Sequence, residues 1–205
     1  MAYPQEFEAF RLLRNGIVFA ILAYPLAGIS IINIFVPFQF SIFYGIIITV
    51  LGAILSILAL IRMYRGFSLL QPYVNNMNLG KIGVILAVIP ILNFVGTILI
   101  GVSLYLIGEK YNNGTLKIGG IMAAIPFVLI MSEGLIISSM GGPVSTLSFF
   151  GLITLSYLEI GGIMAEIAFS LTLIGLIISY LGLGSINPSL SQTPQPQNPT
   201  SKPHV

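Results

Sequence analysis

Few of the residues that usually carry chemistry are present in this chain. Cysteine and aspartate are absent, the six acidic residues are all glutamate, and the single histidine, His204, is the second-to-last residue. Without cysteine there is no disulfide framework, no iron–sulfur cluster and no thiolate zinc site. A serine–histidine hydrolase needs a histidine beside its nucleophile, and a di-aspartyl protease needs aspartate, so neither can be assembled. Bis-histidine haem ligation and a phosphate-cradling glycine loop followed by Lys-Ser/Thr are also missing. No enzymatic activity, cofactor or metal site is therefore expected. Charge is scarce as well: Asp, Glu, Lys and Arg together make up 7% of the chain, against roughly 25% in an ordinary soluble domain. The formal net charge is only +2, and no basic run interleaves with aromatics, which argues against a nucleic-acid partner.

What is present is apolar. Hydrophobic residues form 56% of the 205 residues, so the lipid bilayer is the expected solvent and partner, and a multi-pass protein of the cell membrane is the expected class. The chain predicts an all-α, polytopic transmembrane helix bundle with about six membrane segments. Residues 1–15, where Phe7, Phe10 and Leu13 lie among Glu6, Glu8, Arg11 and Arg14, predict an amphipathic segment in the headgroup plane. The bundle is expected over residues 16–184. Its first run, Gly16 to Val36, is too long for the ~7–15-residue apolar region of a signal peptide and reads as a retained anchor. A second follows from Ser41 to Ile61. From Ile82 to Ile107 about 26 residues carry no charge; as one helix they reach roughly 39 Å and must tilt or bend, with Pro90 the natural place, and as two re-entrant halves they turn near Asn93. Ile118 to Ser138 is the next span. The stretch from Pro143 to Gly184 splits at Glu159 into 143–158 and 160–183. Residues 185–205, rich in Pro, Gln, Ser and Thr, are expected to be a disordered tail.

A decapeptide recurs within this bundle. Lys81-Ile-Gly-Val-Ile-Leu-Ala-Val-Ile-Pro90 returns as Lys117-Ile-Gly-Gly-Ile-Met-Ala-Ala-Ile-Pro126, and again, more loosely, from Glu159 to Ala168; Arg14-Asn-Gly-Ile opens a worn fourth copy. Each copy sets a charge at a hydrophobic boundary and then a small pair four apart: Gly16/Ala20, Gly83/Ala87, Gly119/Ala123 and Gly161/Ala165. Small-x-x-x-small spacing lets two helix backbones approach closely, so these residues are the expected packing faces, within one chain or between copies.

Sidedness follows from Lys and Arg. Six crossings with a cytoplasmic N-terminus put Arg11, Arg14, Arg62, Arg65, Lys81 and Lys202 inside and Lys110 and Lys117 outside. If the Lys81 and Lys117 copies enter from the same face, the run between them is instead a hairpin bent at Asn93. Asn113-Gly-Thr115 matches a glycosylation sequon, usable only on an outward loop.

Glu133, Glu159 and Glu166 are the chemically suggestive set, because an ionisable group within a membrane is costly. Glu159 and Glu166 share a face if one helix holds both, and facing carboxylates share protons as a relay requires. The structural alternative has Glu159 capping a turn, Glu133 in the Ser132–Gly134 bend and Glu166 neutral and hydrogen-bonded.

The runs Arg65-Gly-Phe-Ser-Leu-Leu, Tyr73, Leu79-Gly-Lys-Ile-Gly and above all Glu109-Lys-Tyr-Asn-Asn-Gly-Thr-Leu-Lys-Ile-Gly-Gly-Ile-Met, with Ile125-Pro126-Phe, resemble an archaeal family of multi-pass membrane proteins known as domain of unknown function 973. The resemblance covers roughly residues 5–185. It implies a membrane location and a thermoacidophilic archaeal source, which the Ile-rich, Cys-free composition suits; it implies no activity, cofactor or catalytic residue. Two functions remain in view. One is a non-catalytic scaffold or accessory subunit, forming a homo-oligomer or joining a membrane complex. The other is a small proton- or cation-coupled channel or transporter using the glutamates.

Overall fold

A computed structural model describes the backbone of residues 4–35, 42–89, 92–139 and 161–186, with side chains over 5–26, 44–89, 92–126 and 169–186. The described residues form helices α1 (Pro4–Phe35), α2 (Ile42–Leu70), α3 (Asn78–Val88), α4 (Asn93–Lys110), α5 (Gly114–Ser139) and α6 (Gly161–Ser185), with no strand among them. Among the residues with described side chains, two helical stretches are long and apolar enough to cross a membrane, Gln5–Leu26 and Tyr44–Leu70; Asn78–Val88 and Phe169–Ser185 are shorter apolar helices.

Two elements depart from the expected outline, and a further segment lies outside the described residues. Residues 4–15 do not form a separate interfacial segment: they are the opening turns of α1, with Ala9, Phe10 and Leu13 buried and Phe7 exposed. The uncharged run 82–107 is not one helix. It divides between Val88 and Asn93, and Ile89, the residue before Pro90, is extended (φ −89°, ψ 116°). A proline clashes with a helical residue ahead of it, so the sequence stops α3 there. Pro90 itself lies outside the described residues. The other Ile-Pro step behaves differently, since Pro126 is buried inside a continuous α5. Lastly, the segment 143–158, expected as a crossing of its own, lies outside the described residues.

Each helix packs against its neighbours in sequence, and α6 packs back against α1, so the helices form a closed ring with adjacent members antiparallel. Leu13 and Ile17 of α1, Phe67 of α2, Leu104 and Ile107 of α4, and Leu116 of α5 are fully buried in one apolar cluster. At the outer surface, α2 turns a broad apolar face away from the ring, from Tyr44 and Ile46 through Ile54 and Ile57 to Ile61 and Tyr64. The recurring decapeptide follows the same division. Ile82, Ile85 and Ile89 are exposed, as are Ile118, Ile121 and Ile125 at the matching positions, while Gly83 and Gly119 face neighbouring helices.

Those glycines set the helix spacing. A Cβ on Gly83 would lie 2.8 Å from the Gly96 carbonyl oxygen, and one on Gly96 would lie 2.5 Å from the Ala87 nitrogen, so α3 and α4 touch backbone to backbone. The second copy repeats the arrangement against another partner: a Cβ on Gly119 would meet the Ser179 nitrogen at 2.6 Å, and one on Gly175 the Ala123 nitrogen at 2.5 Å. In both copies the Gly and the Ala four residues later straddle a glycine of an antiparallel helix. Gly16 likewise closes on α2, its Cβ position 3.1 Å from the Ala59 carbonyl. Ala20 and Ala87 pack at the edge of the apolar cluster. The packing of Gly161 and Ala165 lies outside the described residues.

Backbone contact of this kind cannot relax by a rotamer change. Gly96→Ala and Gly175→Ala are each expected to lower stability by about 1–3 kcal/mol through overpacking. Gly45→Ala, whose Cβ would have no atom within 4 Å, is expected to be neutral or to gain about 0.5–1 kcal/mol from helix propensity. Thermal unfolding of the purified chain in detergent measures the contrast.

Candidate functional site

Among the residues with described side chains, the charged ones gather at one end of the ring, where the opening turns of α1, α3 and α5 meet the closing turns of α2, α4 and α6. The connection from α4 to α5 organises this end. Asn112 adopts a left-handed conformation (φ 51°), which asparagine tolerates better than most residues. Its N–H donates to the Glu109 carbonyl at 3.2 Å, and the Asn113 N–H donates to that of Gly108 at 2.7 Å, which satisfies two end carbonyls of α4. Asn113 then starts the next helix: its Oδ1 accepts the Leu116 N–H at 2.9 Å as an N-cap. Its Nδ2 donates to the Gly182 carbonyl (3.0 Å) and to Ser185 Oγ (2.8 Å), tying α5 to the end of α6. The asparagine of the sequon-like triplet is thus consumed by packing.

Tyr111 adds a long-range clamp. Its hydroxyl donates to Glu6 of α1, and its ring meets Phe10 edge-on at 5.0 Å. Burial, then the hydrogen bond and charge of Glu6, push the phenol well above its ordinary range, which keeps the donor protonated. Glu6 is 5% exposed, so the phenol serves to satisfy an otherwise isolated buried acid. A second clamp joins Arg14 to α6: the guanidinium donates to the Tyr180 hydroxyl at 3.0 Å and lies 4.4 Å from the centre of that ring. Lys81, near the start of α3, extends its ammonium to Gln71 Oε1 at 3.0 Å, just beyond α2.

Two grooves open beside these clamps. One, of about 440 Å³, lies between α1 and α6, where Arg11, Arg14, Asn15 and Tyr180 meet Phe7, Phe10 and Leu183. The other, of about 510 Å³, lies between α1 and α2; Arg11, Asn15, Arg62 and Arg65 line it together with Leu12, Leu58 and Ile61. Arg62 is half-buried with its guanidinium 5.1 Å from the Phe19 ring centre. No carboxylate lines either groove. The chemistry available at this end is anion attraction by guanidinium groups.

Glu133, Glu159 and Glu166, the acidic set singled out in the sequence, all fall outside the residues whose side chains are described. The polar groups brought together are others: Glu6, Arg14, Tyr111, Asn113 and Tyr180. Glu6 and Tyr111 stand 105 positions apart, so no local pattern announces their pairing. Asn113 did carry a signal, as an N-cap residue just ahead of an apolar periodic run.

Comparison with known families gives one finding: the model described as "Protein of unknown function (DUF973)" matches residues 85–205. The match takes in the Pro/Gln-rich tail and begins within α3, so α1 and α2 lie outside it. No curated protein and no solved structure matches the chain.

Removing the phenol tests the Glu6 clamp. Tyr111→Phe leaves a buried carboxylate without its donor and is expected to cost about 1–3 kcal/mol; Glu6→Gln, which keeps an acceptor, should cost less. Because the folded phenol titrates above its unfolded value, its contribution is complete below about pH 10 and is lost at higher pH. Tyr111→Phe should therefore flatten the alkaline decline in thermal stability.

Proposed function

This chain belongs to the DUF973 family of unknown function, and we propose that it is a non-catalytic, multi-pass membrane protein acting as a scaffold or accessory subunit. The observation that carries the reading is an apolar exterior around a filled apolar interior. The outward face of α2 exposes Ile46, Val50, Ile54, Ile57 and Ile61, a contiguous surface that water does not tolerate on a monomer but lipid does. The ring is closed at its polar end by side chains such as Leu13, Phe67 and Leu104, each with no exposed surface, which supports a packed bundle over a conduit. The small-residue faces meet other helices of the same chain, consistent with their building the bundle itself.

In this reading α1, α2, α5 and α6 cross the bilayer, and α3 and α4 form a re-entrant hairpin between them. With 11 residues, α3 is about 16 Å long, roughly half the ~30 Å hydrocarbon thickness. Irregular backbone such as the 89–92 turn is tolerated at that depth when protein surrounds it. Arg11, Arg14, Arg62, Arg65, Lys81, Lys110 and Lys117 then all belong to the same side. By the positive-inside bias that side is cytoplasmic, and Lys110 and Lys117 need no exception. Both ends of the bundle still face inward, as six crossings would also have it.

Sidedness is directly measurable, because a chain without cysteine gives no background. Single cysteines at Asn75 and Thr115, both exposed, should react with a membrane-impermeant thiol reagent from the same side, the cytoplasmic one. Labelling from opposite sides would restore one crossing between residues 82 and 107 and remove the hairpin. The scaffold reading is checked by reconstitution. Liposomes carrying the chain should show no pH- or cation-dependent flux, and Glu133→Gln and Glu166→Gln should change nothing. Flux that either substitution abolishes would replace the scaffold with a transporter.

A further inference from the structure

We propose that the groove between the opening turns of α1 and the closing turns of α2 seats the phosphodiester headgroup of an anionic phospholipid. Arg11 and Asn15 stand four residues apart on α1, and Arg62 and Arg65 three apart on α2, so each pair occupies one helix face. The helices are antiparallel and held close by Gly16 and Gly66, whose Cβ positions would lie 3.1 Å from the carbonyls of Ala59 and Ala9. This brings the guanidinium groups of Arg11, Arg62 and Arg65 to one concavity of about 510 Å³. Among the described residues none of them has an ion-pair partner, and no acid lines the groove. Guanidinium groups present planar forks of N–H donors that match phosphate oxygens, and the Asn15 amide adds a neutral donor.

The apolar part of the α2 wall points to lipid as the source of that phosphate. Leu58 and Ile61 line the groove, and both continue into the exposed apolar face of α2 with Ile54 and Ile57. A ligand seated here therefore meets cationic donors at one end and an uninterrupted apolar track at the other, which suits an amphiphile with acyl chains. A soluble anion would use only the first. Arg62 is placed for this role: half-buried beside the Phe19 ring, it is held at the boundary between the two environments. In the topology proposed above, the groove opens at the cytoplasmic headgroup layer, where basic pockets between membrane helices meet anionic lipids.

The test uses the full-length chain in detergent micelles doped equally with phosphatidylglycerol and phosphatidylcholine, with bound lipid counted by native mass spectrometry. Phosphatidylglycerol should be retained preferentially. The double substitution Arg62→Gln/Arg65→Gln should reduce that preference by about tenfold, and Arg11→Gln by a smaller factor. Lys110→Gln/Lys117→Gln removes the same formal charge elsewhere and should alter the preference less than about twofold. Arg62→Lys/Arg65→Lys, which keeps the charge but not the fork, should recover only part of it. Thermal midpoints in lipid-free detergent identify any variant that is misfolded; Arg11→Gln, at an exposed side chain, then carries the comparison. Equal retention of the two lipids, or equal loss in the arginine and lysine pairs, overturns the proposal. So does displacement of phosphatidylglycerol by inorganic phosphate at matched concentration, which would make the ligand a soluble anion. Loss of the four-crossing topology with lipid preference intact would remove the sidedness argument alone.

Discussion

Antiparallel helices in this ring approach until one backbone rests on another, and the rest of the architecture follows from that distance. Where Gly83 and Ala87 straddle Gly96, and Gly119 and Ala123 straddle Gly175, no side chain separates the axes. Apolar side chains beside the contact must then point either into the ring or outward from it. The isoleucines after each charged boundary go outward and the small residues go inward. In lipid, apolar surface gains little by leaving its solvent, so close van der Waals packing has to do what hydrophobic burial does in water. The spare composition of the chain fits this: glycine at the contacts, isoleucine at the surface and, among the residues with described side chains, charge at one end.

That end is also where hydrogen bonding replaces packing. Two asparagines in succession finish α4 and begin α5, one through its left-handed backbone and the other through its side chain. The tightness of this link fixes the register of α4 on α5, since Gly101 meets Gly120 and Gly108 meets Lys117 on the same contact. Tyr111 and Arg14 then tie α4 and α6 to α1 at almost the same level. Six helix dipoles pointing the same way would repel one another; alternating helix directions avoid this, because each dipole lies beside an opposed one.

Much of this was legible in the sequence, and the parts that were not have identifiable causes. Gly16, Gly83 and Gly119 could be picked out because a charge and a small residue four positions later frame each of them. Their partners Gly96 and Gly175 lack that frame, although Gly175 and Ser179 do stand four apart. Pro90 marked a bend in the run 82–107, but nothing in an uncharged stretch says whether the chain continues or turns back. The fit of Gly96 between Gly83 and Ala87 decides it, and that fit is tertiary. The opening residues of α1 alternate charge and aromatics as an interfacial helix would. They join the bundle because Phe10 and Leu13 find partners from α2 and α4 that lie far along the chain. Asn113 opens a sequon-like triplet, but its position just before an apolar run is what sets its role as a helix cap.

The ring has one seam that sequence neighbours cannot close. The other main pairings among the described helices join consecutive members, whereas α1 meets α6 through Tyr24 stacked on Phe169 at 4.3 Å and Arg14 on Tyr180. Loop closure between such distant residues is slow relative to contacts formed by adjacent hairpins. During synthesis the first helix must therefore stand with one flank uncovered until the last has emerged. Emergence of α6 is the step that turns a string of paired helices into a closed ring.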